Sequence, residues 1–256
     1  MTKISIITVN LNNRDGLQKT IESVILQTYS NIEYLIIDGA SQDGSIDIIK
    51  KYEKNLAYWT SEKDQGVYDA MNKGIKHSTG DYLLFLNSGD SLAGSTAIEQ
   101  LIQSGENKDI IYGNVNYIFD TFIQKSDYPR YLTFDYFIFN TLPHPATLIK
   151  KDVFEKAGLY DISLPISADW KLFLTAIFQY NCSYKLVDII VSDFYMNGMS
   201  CTDQAKITVE EEKKRIFEEE FPELLNIIDA YRKIRFIESS KLINLLRKFG
   251  FLQYLK

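Results

Sequence analysis

Two carboxylates in this chain sit where chemistry is easiest to imagine. Asp38 ends the run "IEYLIID", and Asp90 closes "DYLLFLNSGDSL", an apolar run that stops at Asn87, Ser88 and Gly89. Each stands at the end of a run of large apolar residues and would be half-buried, so its charge needs compensation. A bound cation or sugar hydroxyls would supply it. Other runs end the same way: Thr8, Asn10 and Asn12 follow the first, and Glu62 and Asp64 the third. Ser41, Asp43 and Ser95 read as turn and cap formers.

These groups need a scaffold that brings them to one edge. Apolar β-rich runs alternate with helix-period segments: "KISIITVNLN", "RDGLQKTIESVILQTY", "IEYLIIDG", "SQDGSIDIIKKYEKN", "LAYWTSE", "VYDAMNKGIKHS", "DYLLFLN", "STAIEQLIQS" and "DIIYGNVNYIF". That alternation predicts an α/β fold, a mostly parallel sheet with helices on both faces. Ligands of such sheets sit outside the carboxyl ends of the strands, where the polar residues above collect. No G-x-G-x-x-G follows the first strand and no G-x-x-x-x-G-K-[ST] occurs, which argues against a dinucleotide cofactor and removes the P-loop enzymes. H-E-x-x-H and G-x-S-x-G are absent too. His77 and His144 are far apart in sequence, giving little support to a zinc site. Carboxylates at a sheet edge remain, suited to a hard divalent cation, Mg²⁺ or Mn²⁺, carrying a diphosphate.

The bulk properties agree. At 256 residues, 45% hydrophobic and 24% charged, the chain can bury a large core. Net charge is −6, distributed unevenly: residues 231–256 carry seven Lys or Arg against one acid, so a +6 tail leaves −12 on the body. An acidic body argues against nucleic acid as a partner. Cys182 and Cys201 read as core thiols of a reducing compartment. The start, "MTKISIITVN", has an apolar run of about six residues, short of export or insertion. A cytoplasmic location is expected.

In order, "SIITVNLNNRDGLQKTIESVILQTYSNIEYLIIDGASQDGS", "DQGVYDAMNKGIKHSTGDYLLFLNSGD", "HPATLIKKDVFEKAGLYD" and "ADWKLFL" resemble a family two glycosyltransferase of GT-A fold, over about residues 3–200. The likeness is strongest to bacterial enzymes that build surface and extracellular polysaccharides. It implies an inverting transferase using a nucleotide sugar, usually a UDP-sugar, and a divalent metal. It divides the chain into a catalytic domain at 1–203 and a helical extension at 204–256; about 1–118 would bind the nucleotide sugar and 119–203 the acceptor. By the same resemblance Thr8, Val9 and Asn10 would line the nucleotide pocket, Asp38 would accept the uracil N–H, Asp64 would pack near base and ribose, and Asn72 would flank the nucleotide. Asn87 to Asp90 stand at the family's Asp-x-Asp element, where many relatives have Asp-x-Asp-Asp. Only one carboxylate is left, so Asp90 becomes the metal ligand, Asn87 offers a neutral oxygen, and Ser88 and Gly89 border the phosphates.

Asp169, just before the helix-period run "WKLFLTAIF", reads as a helix N-cap from its own surroundings. The resemblance makes it the general base that deprotonates the acceptor hydroxyl, with Ser167 free to cap instead. His144 is expected either to be structural or to line the substrate site, and Gly198 and Ser200 to belong to a closing loop near the donor. The aromatic segment 119–141 would fill a core or stack on sugars. From Gln204 the chain reads as helix to its end, with Ile234, Ile237, Leu242, Leu245, Leu246, Phe249 and Leu252 on an apolar stripe beside basic residues. That stripe would pack on its own domain, form a homodimer, or touch the inner face of the cytoplasmic membrane. The acceptor would be a glycan or a lipid-linked glycan. A catalytically silent nucleotide-sugar-binding module and a sugar-phosphate nucleotidyltransferase are the alternatives.

Overall fold

The computed structural model describes residues 1–196 and 202–239. "ISIITVN" has no large charged side chain, as a strand covered on both faces requires, and it forms β1 (Ile4–Asn10), buried along its whole length. β2 (Ile32–Asp38), β3 (Tyr58–Ser61) and β4 (Tyr82–Phe85) extend a parallel block around it. The crossovers are α1 (Arg14–Ile25), α2 (Ser45–Lys51) and α3 (Val67–His77). Side chains alternate along β1: Ile4 and Ile6 meet Leu17, Ile21 and Ile48 of α1 and α2, while Ile7 and Val9 meet Tyr68, Met71 and Ile75 of α3.

The chain continues through β5 (Ser91–Leu92), α4 (Ala97–Ser104), β6 (Ile110–Ile118), β7 (Ile123–Lys125), α5 (Phe134–Phe139), β8 (Thr147–Lys150), α6 (Lys151–Ala157), α7 (Ala168–Phe178) and β9 (Tyr184–Tyr195). The strand order is β3-β2-β1-β4-β8-β6-β9-β5, with β7 beside β6. β8 is antiparallel to both β4 and β6, which therefore point the same way, and β9 is parallel to β6. The sheet is mostly parallel, with helices on both faces.

The expected continuous C-terminal helix is broken. α8 (Asp203–Glu220) and α9 (Leu225–Ser239) are separated by a tight turn at Pro222–Leu224, where Pro222 has no N–H to continue the ladder. Ile216, Phe217, Phe221 and Ile228 enter the same core as α5 and α7, so the described residues after 203 pack into the same fold as the residues before them. Ile234 and Ile237 stay about half exposed at 53% each. Leu242, Leu245, Leu246, Phe249 and Leu252 lie outside the described residues, as does Cys201; the Cys182 thiol is buried. Among the described residues no helix is long and apolar enough to cross a membrane.

One buried carboxylate clamps the sheet end opposite the candidate site. Glu33 accepts hydrogen bonds from Lys3 Nζ, Ser5 Oγ, Thr79 N and Thr79 Oγ1 at 2.5–2.7 Å. Burial works to raise its pKa; the bonds from Lys3, Ser5 and Thr79 overcome this and hold it at about 2. A folded-state pKa below the unfolded ~4.3 stabilises the protein above pH 4.3, and that stabilisation is lost as pH falls toward 2. Glu33→Gln is expected to cost on the order of 2 kcal/mol at pH 7 and to flatten the acid limb of stability. Thermal melts from pH 7 to 3 check this, and an unchanged acid limb would refute it.

Candidate active site

Strand register lines up the first group of polar residues. Asn10 pairs with Asp38, and Asp38 with Ser61, so β1, β2 and β3 deliver their last side chains as one row. Asp38 is fully buried, and its carboxylate accepts from Asn10 Nδ2 (2.7 Å), Ser41 Oγ (2.6 Å), Ser41 N (2.9 Å) and Ser61 Oγ (2.6 Å). The compensation anticipated from a bound cation or sugar thus comes from the protein itself. Asn10 Oδ1 is buried and has no hydrogen-bond partner. Asp64 caps its own loop through Gly66 N and places Oδ2 2.6 Å from where a Cβ on Gly39 would stand, so a side chain at Gly39 would push the Asp64 carboxylate aside. The exposed Leu11 completes this edge.

Three residues expected at the nucleotide have other immediate partners. Thr8 is fully buried one step inside β1, bonded to the Tyr34 hydroxyl at 3.0 Å. The Val9 side chain faces α3 in the core, while its carbonyl accepts Ser88 N. Asn72 is buried, and its amide exchanges two bonds with the Tyr160 backbone, at 2.8 and 3.0 Å. Strand and helix alternation turn these three side chains inward.

The turn after β4 is held by α1. Thr20 Oγ1, buried in α1, donates to the Asp90 carbonyl at 2.6 Å and accepts Gly89 N at 3.0 Å; Asn13 Nδ2 donates to the Ser88 carbonyl at 2.9 Å. Gly89 takes φ +109°, which side chains disfavour, and this lets Asp90 turn back under the edge. The Asp90 side chain is 7% exposed and accepts Tyr195 N at 3.2 Å. Burial pushes its carboxyl up to about 7, against the Tyr195 N–H and the Lys19 ammonium, which favour ionisation. Asn87 Oδ1 is buried without a hydrogen-bond partner. An orphaned amide oxygen and a carboxylate poor in donors are a fitting oxygen set for a hard cation that brings other oxygens with it. Among the described residues no group of three His, Cys, Asp or Glu could hold a metal by itself.

Asp169 lies in the first turn of α7 and does not cap it. Ser167 occupies the N-cap, but its hydroxyl also makes no cap bond and is buried without a partner. The helix start is instead tied down by Glu212 of α8, whose carboxylate accepts Ser167 N at 2.7 Å. The Tyr68 hydroxyl stands 2.5 Å from the Ile166 carbonyl and 2.9 Å from Asp169 Oδ1 and shares its one proton between them, and Asp169 lines a cavity of about 710 Å³. His144 lines it too, stacked on Phe85 with Nε2 2.8 Å from the Tyr160 hydroxyl. Burial lowers the His144 pKa, with Asp169 opposing, so the ring is neutral at pH 7. The aromatic segment divides: Phe137 and Leu132 are buried in the core, while Phe119, Tyr128, Tyr136 and Phe139 line the cavity. Gly198 and Ser200 lie outside the described residues.

Sequence reasoning overlooked Thr20, Tyr68, Tyr160, Glu212 and Lys213. Glu212 and Lys213 sit within "EEEKKR", which looks like a solvated charge run, yet both are buried. Tyr68→Phe removes the hydroxyl that orients Asp169 and is expected to lower turnover about tenfold with nucleotide binding unchanged. Steady-state kinetics check this; weaker nucleotide binding with full turnover would contradict it.

A mostly parallel sheet with helices on both faces and polar strand ends along one edge is the architecture that GT-A glycosyltransferases share. The model described as glycosyl transferase family 2 matches residues 5–157, and the chain belongs to that family. It is 32% identical over 201 residues to an uncharacterized glycosyltransferase of Mycobacterium tuberculosis, covering 77% of this chain and 76% of that protein. It is 32% identical over 209 residues to a PGL/p-HBAD biosynthesis glycosyltransferase of Mycobacterium bovis, covering 77% and 79%. Among solved structures it resembles S. aureus TarS 1-349 in complex with UDP-GlcNAc, at TM-score 0.64 and 16% identity over 85% of this chain and 71% of that one. It also resembles the mannosyltransferase PcManGT of Pyrobaculum calidifontis in complex with GDP-Man and Mn²⁺, at TM-score 0.61 and 13% identity over 100% and 81%. The protein is a glycosyltransferase.

Proposed function

We propose that this enzyme moves a sugar, with inversion, from a nucleotide diphosphate donor of the UDP-sugar type to a hydroxyl of a glycan or lipid-linked acceptor in bacterial surface or extracellular polysaccharide synthesis. The observation that carries the reading is the freedom of Asp169: Glu212 secures the start of α7, leaving the Asp169 carboxylate in the cavity with one orienting bond from Tyr68. A carboxylate so placed can take the proton of an acceptor hydroxyl as its oxygen attacks the anomeric carbon. Attack comes from the face opposite the leaving nucleoside diphosphate, so the anomeric configuration inverts. The row of Asn10, Asp38 and Ser61, with Asp64 over Gly39, forms the edge for the nucleoside.

Asp90 and Asn87 are the residues that would hold Mg²⁺ or Mn²⁺. When bound, the cation neutralises charge developing on the departing diphosphate. The Tyr195 backbone N–H fixes the Asp90 carboxylate, and Thr20 fixes the turn that carries it. The relatives' names support the class of reaction, and the structural neighbours bound to UDP-GlcNAc or to GDP-Man and Mn²⁺ support a nucleotide-sugar donor and a divalent cation.

A panel of nucleotide sugars tests the reading, first by thermal shift with Mg²⁺ or Mn²⁺ and with chelator, then by transfer of radiolabelled sugar. A metal-dependent shift with one donor, followed by transfer or slow hydrolysis of that donor, is expected. A shift without turnover would favour the silent binding module. Formation of the nucleotide sugar from a sugar phosphate and nucleoside triphosphate would favour the nucleotidyltransferase.

A further inference from the structure

Lys213 is a buried charge that the proposed transfer leaves unused. It stands midway along α8, 4% exposed, with its ammonium 5.0 Å from the centre of the Trp170 ring. Among the described residues no carboxylate pairs with it and no oxygen accepts its protons. The neighbouring acids of α8 are engaged elsewhere, Glu212 with the Ile166 and Ser167 N–H groups and Glu210 with Arg232. Burial pushes the Lys213 pKa down to about 8, against Glu210 and Asp169, so the ammonium is still mostly charged at pH 7. A buried ammonium with a ring at contact, carboxylates that act on it only without direct pairing, and no hydrogen-bond acceptor is unfavourable unless a directly paired counter-charge arrives.

Lys213 lines the Asp169 cavity, which indicates what that counter-charge is attached to. Tyr128, Tyr136 and Phe194 present aromatic surface there, suited to the apolar face of a sugar ring. No lining residue comes from β1, β2 or β3, so the nucleoside edge is a separate surface. We infer that the acceptor is a sugar bearing an anionic substituent, phosphoryl or carboxylate, which pairs with the Lys213 ammonium while Asp169 holds the accepting hydroxyl. The inference rests on this cavity being the acceptor side of the proposed reaction.

Calorimetric titration of the full chain with N-acetylglucosamine 1-phosphate, glucuronic acid, neutral N-acetylglucosamine and inorganic phosphate tests it. One of the two anionic sugars is expected to bind about tenfold or more tighter than the neutral sugar, as a charge-assisted bond would give. The two arms tell phosphoryl from carboxylate, and inorganic phosphate should bind more weakly than the preferred sugar. Lys213→Met should erase the preference and Lys213→Arg retain most of it. Equal binding of all three sugars, or an undiminished preference in Lys213→Met, overturns the inference. A second readout covers misfolding of the Met variant: in Trp59→Phe protein the remaining indole is Trp170, and the preferred sugar must change its fluorescence. No change at saturation also overturns the inference. These titrations contain no nucleotide, so a failed nucleotide-sugar panel leaves their outcome untouched.

Discussion

Asp169→Asn is expected to bind the nucleotide sugar as the parent does and to transfer its sugar about 10²–10⁴-fold more slowly, the usual contribution of a positioned proton acceptor. The substitution keeps the shape of the side chain and leaves an oxygen to accept the Tyr68 hydroxyl, so the cavity wall should persist. It removes only the capacity to take a proton. Because Glu212, not Asp169, ties the start of α7, the variant should melt within a degree or two of the parent. Single-turnover transfer with donor and acceptor saturating is the measurement. Turnover equal to the parent would remove Asp169 from the chemistry, and a large loss of stability would return it to a capping role.

Asp90→Ala should have the second largest effect, about 100-fold in transfer at saturating donor, together with loss of sensitivity to chelator. The carboxyl is buried and pushed up to about 7, so the site disfavours an isolated negative charge and is suited to an arriving positive one. Asn87 Oδ1, buried and unpaired beside it in sequence, is the second oxygen of the turn. Asn87→Ala should therefore weaken cation binding less than Asp90→Ala does. Activity titrated against Mg²⁺ and Mn²⁺ reads both variants. An Asp90→Ala enzyme with the parent's metal dependence would show that the single carboxylate of this turn does not hold the cation.

Much of the edge is legible in the amino-acid order because local pattern dictates it. Apolar runs of strand length, each closed by Asn, Asp or Gly, can only end at the rim of a covered sheet, and the rim is where Asn10, Asp38, Asp64 and Asp90 are found. What each of them does there is not legible in that order. Asp38 invites an external partner, but register sets Asn10 and Ser61 on either side of it. Asn72 looks like a donor-site residue and is consumed by the Tyr160 backbone, 88 positions away. "EEEKKR" has the composition of a solvated helix face. Packing against Trp170 and the start of α7 turns Glu212 and Lys213 inward.

The amino-acid order by itself determined the α/β alternation, the family, and the reduction of the motif after β4 to one carboxylate, because each is written in contiguous residues. Only tertiary structure decided which polar groups remain available for a ligand. Hydrogen-bond capacity is used up by partners distant in sequence: the bond that orients Asp169 joins residues 101 apart, and the one that frees it from capping spans 45. A carboxylate's role depends on whether such partners satisfy it, and no local window contains them.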